Sequence, residues 1–363
     1  MIKRTCRTIG VTLIFGVLHC IAPLWAHAQD VVRVATWNVE MSRKGPGVLL
    51  HNILSGTDAQ VAAAIAHIQN LHPDVLLLTG IDTDFEGHTI DAFVDALAQA
   101  GTAYPHVFTQ LGNAGAPTGR DLDKNGRLGA PQDAQSFGDF HGQGGLALLS
   151  RLTIDAGNIR DFSTLLWRDL PDARLPKDFY DDADLDVLRL SSNSHWDVPI
   201  LWGDTPVNLL AFYATTPAFD GPEDRNGWRN ADEIALWRHY LDGRLDITAP
   251  KPPFIIIGDA NLDPSDGDGQ SAEMQNLLAD PRLQDPKPRS TQAQSIANPE
   301  HIGDAALDTA DWDDPVPGNL RVDYVLPSAD LKVIDTGVAW SSVLGDEGAL
   351  FRHGLVWVDL TRQ

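Results

Sequence analysis

Residues 254–261 read Phe254-Ile255-Ile256-Ile257-Gly258-Asp259-Ala260-Asn261. From Phe254 to Ile257 the chain is apolar without interruption, the pattern of a strand buried on both faces. The polar residues Asp259 and Asn261 arrive together at its end. Outward from this segment the design repeats. Apolar runs cover Val31 to Trp37, Val75 to Leu78, Leu146 to Leu149, Val207 to Phe212, Val322 to Leu326 and Leu355 to Val358. Asn38 closes the first, Asp323 lies within another, and His353 just precedes the last. Polar groups gathered at strand ends are where α/β folds place their sites. Between the strands, apolar residues follow helical spacing. Val61, Ile65, Ile68 and Leu71 come after Thr57 as an N-cap; Ile234, Trp237 and Leu241 mark a second helix; a third covers Ile90 to Ala98. This order predicts an α/β protein with two sheets packed face to face and helices outside.

The first residues read as an export signal. Lys3, Arg4 and Arg7 precede an apolar run from Ile9 to Leu24, and Ala26-His27-Ala28 supplies the small-x-small cleavage pattern. A signal peptide over residues 1–28, cleavage before Gln29 and one domain over residues 29–363 are expected, with a secreted or periplasmic product. Lipidation at Cys20 would need a small residue before the cysteine, and His19 is not small. Pro23 breaks the apolar run, which argues against a stable membrane anchor. Both cysteines, Cys6 and Cys20, fall in the leader. The mature chain is therefore without a disulfide, and bound calcium is a candidate for holding its long loops. The chain carries 27 Lys and Arg against 50 Asp and Glu, a net charge of −23, and the leader removes basic residues only. Such a surface repels polyphosphates, and no basic stripe is present, so duplex DNA is not the expected partner. There is no Gly-x-Ser-x-Gly elbow, Walker loop, paired-cysteine zinc site or His-Glu-x-x-His.

Taken in order, several segments resemble the endonuclease/exonuclease/phosphatase superfamily. They are Val34-Ala35-Thr36-Trp37-Asn38, Pro73-Asp74-Val75-Leu76-Leu77-Leu78, Leu148-Leu149-Ser150-Arg151, Gly258-Asp259-Ala260-Asn261, Arg321-Val322-Asp323-Tyr324-Val325-Leu326, and His353 before Leu355-Val356-Trp357-Val358-Asp359. Ser194-His195-Trp196-Asp197-Val198-Pro199 and Phe219-Asp220-Gly221-Pro222-Glu223-Asp224-Arg225-Asn226-Gly227 resemble a secreted bacterial branch. The resemblance implies a four-layer α/β/β/α sandwich of two packed mixed sheets, DNase I-like. It also implies metal-assisted phosphoester hydrolysis, usually with magnesium or manganese. By the same resemblance Asn38 is a metal-side ligand, Asp259 activates water, Asn261 holds the phosphate, and Asp323 orients and charges His353, which contacts the phosphate or leaving oxygen.

Other family positions are substituted. Gly80 stands where the main metal ligand, a Glu, is usual. Tyr213 replaces a phosphate-binding His, Gly144 an aromatic or His, and Asn193 a basic residue. Arg352 precedes His353 where an Asp is usual. Losing one carboxylate weakens a magnesium site severely, because that ion takes few direct protein ligands. Strand side chains two apart share a face, so Glu40, two beyond Asn38, and Asp82, two beyond Gly80, are candidate replacement ligands. Arg352 could bind phosphate directly. His195 either lines the cleft against the phosphate or is a packed histidine.

Asp121-Leu122-Asp123-Lys124-Asn125-Gly126 has oxygen ligands at positions one, three and five and Gly at six, as in a calcium loop. Position twelve is Gln132 and Asp133 follows, so Asp121, Asp123, Asn125 and Asp133 are the expected ligands, with a polar turn as the alternative. Asp263, Asp266 and Asp268 form a solvated loop or feed a second cation. The leading expectation is a secreted, metal-dependent phosphoester hydrolase, divergent or weakened, acting on a phosphorylated small molecule or other non-duplex phosphoester. The alternative is a pseudoenzyme or calcium-stabilised binding protein of the same fold.

Overall fold

The computed structural model describes residues 31–341 and 349–362; the expected signal peptide lies outside them. The strands are β1 (Val32–Met41), β2 (Val75–Ile81), β3 (His106–Thr109), β4 (Gly145–Ser150), β5 (Thr153–Ile154), β6 (Arg160–Asp161), β7 (His195–Trp202), β8 (Thr205–Tyr213), β9 (Phe254–Asp259), β10 (Ala310–Asp311), β11 (Asn319–Leu320), β12 (Asp323–Pro327), β13 (Leu331–Ala339) and β14 (Leu355–Arg362). The helices are α1 (Val48–Ser55), α2 (Ala59–Leu71), α3 (His88–Gln99), α4 (Asp182–Leu185), α5 (Arg225–Leu241), α6 (Ser271–Leu278) and α7 (Thr291–Ser295).

One sheet runs β13-β14-β1-β2-β4-β3 and the other β12-β9-β8-β7-β5, with β6 also pairing β7. Each is mixed: β1 and β2 are parallel, as are β8 and β9, while the other pairs are antiparallel. Alternation along each strand splits its side chains between two layers. Val32 and Val34 of β1 meet Leu209 and Ala211 of β8 and Ile255 and Ile257 of β9 in the core between the sheets. Ala35, Trp37 and Val39 turn the other way, onto Ile53, Val61, Ile68 and Phe93 of α1–α3. On the far side Leu210, Phe212, Phe254 and Ile256 pack on Ile234 and Trp237 of α5 and on Met274 and Leu277 of α6. The result is the expected α/β/β/α sandwich, DNase I-like, and it explains why the strands read as unbroken apolar runs.

One local reading is corrected, and two strands are added to those expected. Helix α2 is capped by Asp58, whose carboxylate accepts the Val61 N–H at 2.9 Å, and not by Thr57. Strands β7 and β13 were not legible as apolar runs. In β7, His195, Asp197 and Pro199 break the run; β13 is an edge strand that buries only part of its length. Among the described residues no helix is long and apolar enough to cross a membrane.

Candidate active site

Strand direction gathers the polar residues. The ends of parallel β1 and β2 lie at the same edge of their sheet, and antiparallel β14 begins there, bringing Asn38 and His353 together. In the other sheet Tyr213, ending β8, and Asp323, starting β12, both pair with Asp259 at the end of β9. Gly258 permits this closeness: at φ +153° a Cβ there would collide with the Phe212 carbonyl.

The side chains form two hydrogen-bonded groups, one around Asp259 and one around Asp323. Asn38 Nδ2 donates to Asp259 Oδ2 at 2.9 Å, and the Asn261 N–H to Asp259 Oδ1 at 2.8 Å. The His353 Nδ1 and Asp323 Oδ2 lie 2.8 Å apart. Thr309 Oγ1 donates to the same Asp323 oxygen at 2.9 Å while accepting the N–H groups of Val322 and Asp323. Trp37 Nε1 donates to the His353 carbonyl, and Trp312 packs edge-on against its ring. Thr309 and Trp312 belong to no strand run, and no sequence pattern marked them.

Burial, reinforced by the Asp323 charge, pushes the Asp259 carboxyl up to about 7 against the opposing pull of His353 and the Asn38 and Asn261 N–H groups. Burial also disfavours charge on His353, but the bonded Asp323 carboxylate outweighs it and raises the imidazole to about 9. Burial and the Asp259 charge raise the Tyr213 phenol, so it stays protonated beside Asn38, 3.4 Å from Nδ2. Asn38, Tyr213, Asn261 and His353 open on a cleft of about 1140 Å³, with Arg352, Gly80, Gly144 and Asn193 also on its wall.

Several expected positions are arranged otherwise. β1 shifts register against β2 between Asn38 and Met41, and β2 against β4 between Thr79 and Ile81, so face alternation does not carry through. Glu40, at φ +46°, turns its carboxylate to Arg352, accepting from the backbone N at 2.5 Å and from Nε at 2.6 Å. Asp82 is buried and accepts the Arg43 and Gly144 N–H groups at 2.8 and 2.9 Å, tying two loops together. Asn193 donates to the Gly144 carbonyl and Gly144 has φ +56°, so these two build cleft wall. His195 does not reach the cleft: it is fully buried between Phe212 and Trp237, its ring nitrogens meeting Ser191 Oγ and the Glu233 carbonyl. Burial holds it neutral, pushing it down to about 3.

One ligand atom each from Asp259, Asp323 and His353 lies within 4.8 Å of the others, as do atoms of Asp121, Asp123 and Asp133. The Asn38–Gly80 corner, however, does not fit a magnesium ion as it stands. Asn38 Oδ1 accepts the Glu40 N–H at 3.1 Å, and Glu40 is committed to Arg352. Gly80 has φ +66°, and a Cβ there would overlap Asn38 Oδ1. Both Asp259 oxygens already take N–H donors. In the Asp259–Asp323–His353 trio one carboxylate oxygen, Asp323 Oδ1, is buried without a hydrogen-bond partner.

A sandwich of two mixed sheets with its polar groups at one end is the build of a DNase I-like protein. The sequence model of the Endonuclease/Exonuclease/phosphatase family matches residues 35–345, and the chain belongs to that family. A crystal structure of an endonuclease/exonuclease/phosphatase from Beutenbergia cavernae DSM 12333 is similar at 18% identity and TM-score 0.56, over 92% of this chain and 72% of that one. Sphingomyelinase C from Streptomyces griseocarneus is similar more loosely, at 17% identity and TM-score 0.49, over 91% of this chain and 99% of its own. So is truncated TDP2 from Caenorhabditis elegans, at 13% and 0.46, over 91% and 97%. At such identities the likeness is one of fold. No curated protein matches the chain.

Proposed function

We propose that the chain is an exported phosphoester hydrolase acting on a small or other non-duplex substrate, with little dependence on a divalent metal. One observation carries this: the bonded groups Asn38–Asp259–Asn261 and Asp323–His353 meet at a single end of both sheets, with ligand atoms of Asp259, Asp323 and His353 within 4.8 Å of one another, and Asn38, Asn261 and His353 line the cleft. In this reading unprotonated Asp259 takes the proton of a water whose oxygen attacks phosphorus. His353, held charged by Asp323, gives its proton to the departing ester oxygen as the P–O bond breaks. Tyr213 and Asn261 hold phosphoryl oxygens. Export rests on the basic, apolar and small-residue pattern of residues 1–28, and the acidic balance supports a substrate other than duplex DNA.

Hydrolysis of a chromogenic phosphomonoester and phosphodiester, with magnesium, manganese or calcium against chelator, tests the reading. Asp259→Asn and His353→Ala are each expected to cut turnover by about 10²–10⁴-fold. Turnover indifferent to Asp259→Asn sinks the mechanism. Turnover that needs magnesium or manganese restores the metal that the family implies. A second reading, a pseudoenzyme that binds a phosphoester without cleaving it, is favoured by Gly80 and by the Glu40–Arg352 pair. The absence of turnover with every metal decides for it.

Calcium at Asp121, Asp123, Asn125 and Asp133 is proposed as a loop stabiliser, supported by the closeness of the three carboxylates. Their oxygens also accept loop N–H groups: Asp121 those of Asn125 and Gly126, Asp133 those of Leu122 and Ala130. Calcium at a hundredfold excess over its Kd should then raise stability by about 2.7 kcal/mol. An unchanged melting temperature removes it.

A further inference from the structure

The cleft carries a cation of its own. Glu40 lies within the register shift in β1, and its carboxylate meets Arg352 at three atoms: the backbone N at 2.5 Å, Nε at 2.6 Å and Nη2 at 2.5 Å. The Glu40 side chain is only 16% exposed, whereas that of Arg352 is 57% exposed and lies on the cleft wall with Asn38, Gly80 and His353. A guanidinium has five N–H bonds in a planar fork. Glu40 occupies its Nε edge, and the Nη1 group makes no hydrogen bond among the described residues. The fork is thus fixed at one edge and open at the other. At the same corner, Asn38 Oδ1 is taken by the Glu40 N–H and Gly80 has no room for a carboxylate.

We propose that Arg352, clamped by Glu40, does the work for which relatives use a divalent ion: it takes two oxygens of the substrate phosphate through its free edge, and phosphate capture in this cleft needs no metal. The inference rests on the reading of the cleft as a phosphoester site. The planar fork matches phosphate geometry in a bidentate contact that a lysine ammonium cannot reproduce while also holding Glu40. In a chain of net charge −23, a fixed cation at the site is also what a phosphate anion requires.

Isothermal titration of the full mature chain with inorganic phosphate and with phenyl phosphate, first in chelator and then in magnesium, tests this. The expected result is one affinity in both conditions, weakened about tenfold or more by Arg352→Ala and nearly as much by Arg352→Lys. Arg352 is a surface residue, and circular dichroism checks that both variants fold. Binding that appears only with magnesium, binding unchanged in Arg352→Ala, or no binding in either condition overturns the inference. Failure of the underlying reading looks different. Phosphate that binds through Arg352 in a protein without turnover leaves the inference standing and removes the hydrolase. Turnover lost in Asp259→Asn while Arg352→Ala binds phosphate normally does the reverse.

Discussion

The two flanks of the cleft are built on opposite terms. On one, Asp259, Asp323, Thr309 and His353 are held in orientation by hydrogen bonds of 2.8–2.9 Å. On the other, around Asn38 and Gly80, carboxylates are present but committed: Glu40 to Arg352, and Asp82 to two backbone N–H groups. Proximity of an acidic side chain to a site is not availability. Around Asn38, Glu40 is paired with a guanidinium and Gly80 offers no oxygen, so a hard cation lacks its carboxylate there, whereas the proposed acid–base pair keeps partners that the fold supplies.

The largest expected effect breaks or keeps this contrast outright. Asp259→Asn or His353→Ala should lower turnover by about 10²–10⁴-fold, while exchanging magnesium for chelator should change it by less than about threefold. If chelation costs as much as Asp259→Asn, the flanks are not different in kind and the Asn38 corner still holds an ion.

The sequence made one flank far more readable than the other. Asp259, Asp323 and His353 adjoin apolar runs buried on both faces, and such runs fix both the strand and the sheet edge where it ends. Glu40 and Asp82 were reached by extending alternation past those runs, into a stretch where β1 and β2 both shift register; no local pattern announces that shift. Gly80 reads as a lost ligand, yet a Cβ there would lie 2.2 Å from Asn38 Oδ1, so a side chain fits only if Asn38 moves. His195 was ambiguous because a histidine in an apolar segment looks alike in a core and in a cleft. The packing of α5 over it, through Trp237 and the Glu233 carbonyl, decides the matter, and that contact spans about forty residues of chain. Thr309 is harder still, since its role depends on two backbone N–H groups more than ten residues away.

A smaller effect sharpens the account of the rebuilt flank. Gly80→Ala should destabilise the fold by about 1–3 kcal/mol, because a left-handed backbone and an overlap with Asn38 Oδ1 act together. Urea unfolding measures this. Gly80→Glu should be destabilised at least as much and should gain no magnesium-dependent turnover. A stable Gly80→Glu variant with magnesium-dependent activity would mean that one substitution, and not a rearranged corner, separates this chain from a metal enzyme.

The smallest effect concerns the kept flank and its pH dependence. Asp259 must be unprotonated to accept a proton, and its carboxyl is raised to about 7, so kcat/KM should climb as pH rises through that value. His353 must be protonated to serve the leaving oxygen, and its imidazole is raised to about 9, so the rate should fall as pH rises through that value. Between the two limbs both groups are in their working forms, and one pH unit beyond either limb the loss approaches tenfold. Thr309→Val removes a hydrogen bond to Asp323 Oδ2, so that carboxylate should hold the His353 proton differently and move the alkaline limb while leaving the acid limb near 7. Movement of the acid limb alone would assign the upper titration to a group other than the Asp323–His353 pair.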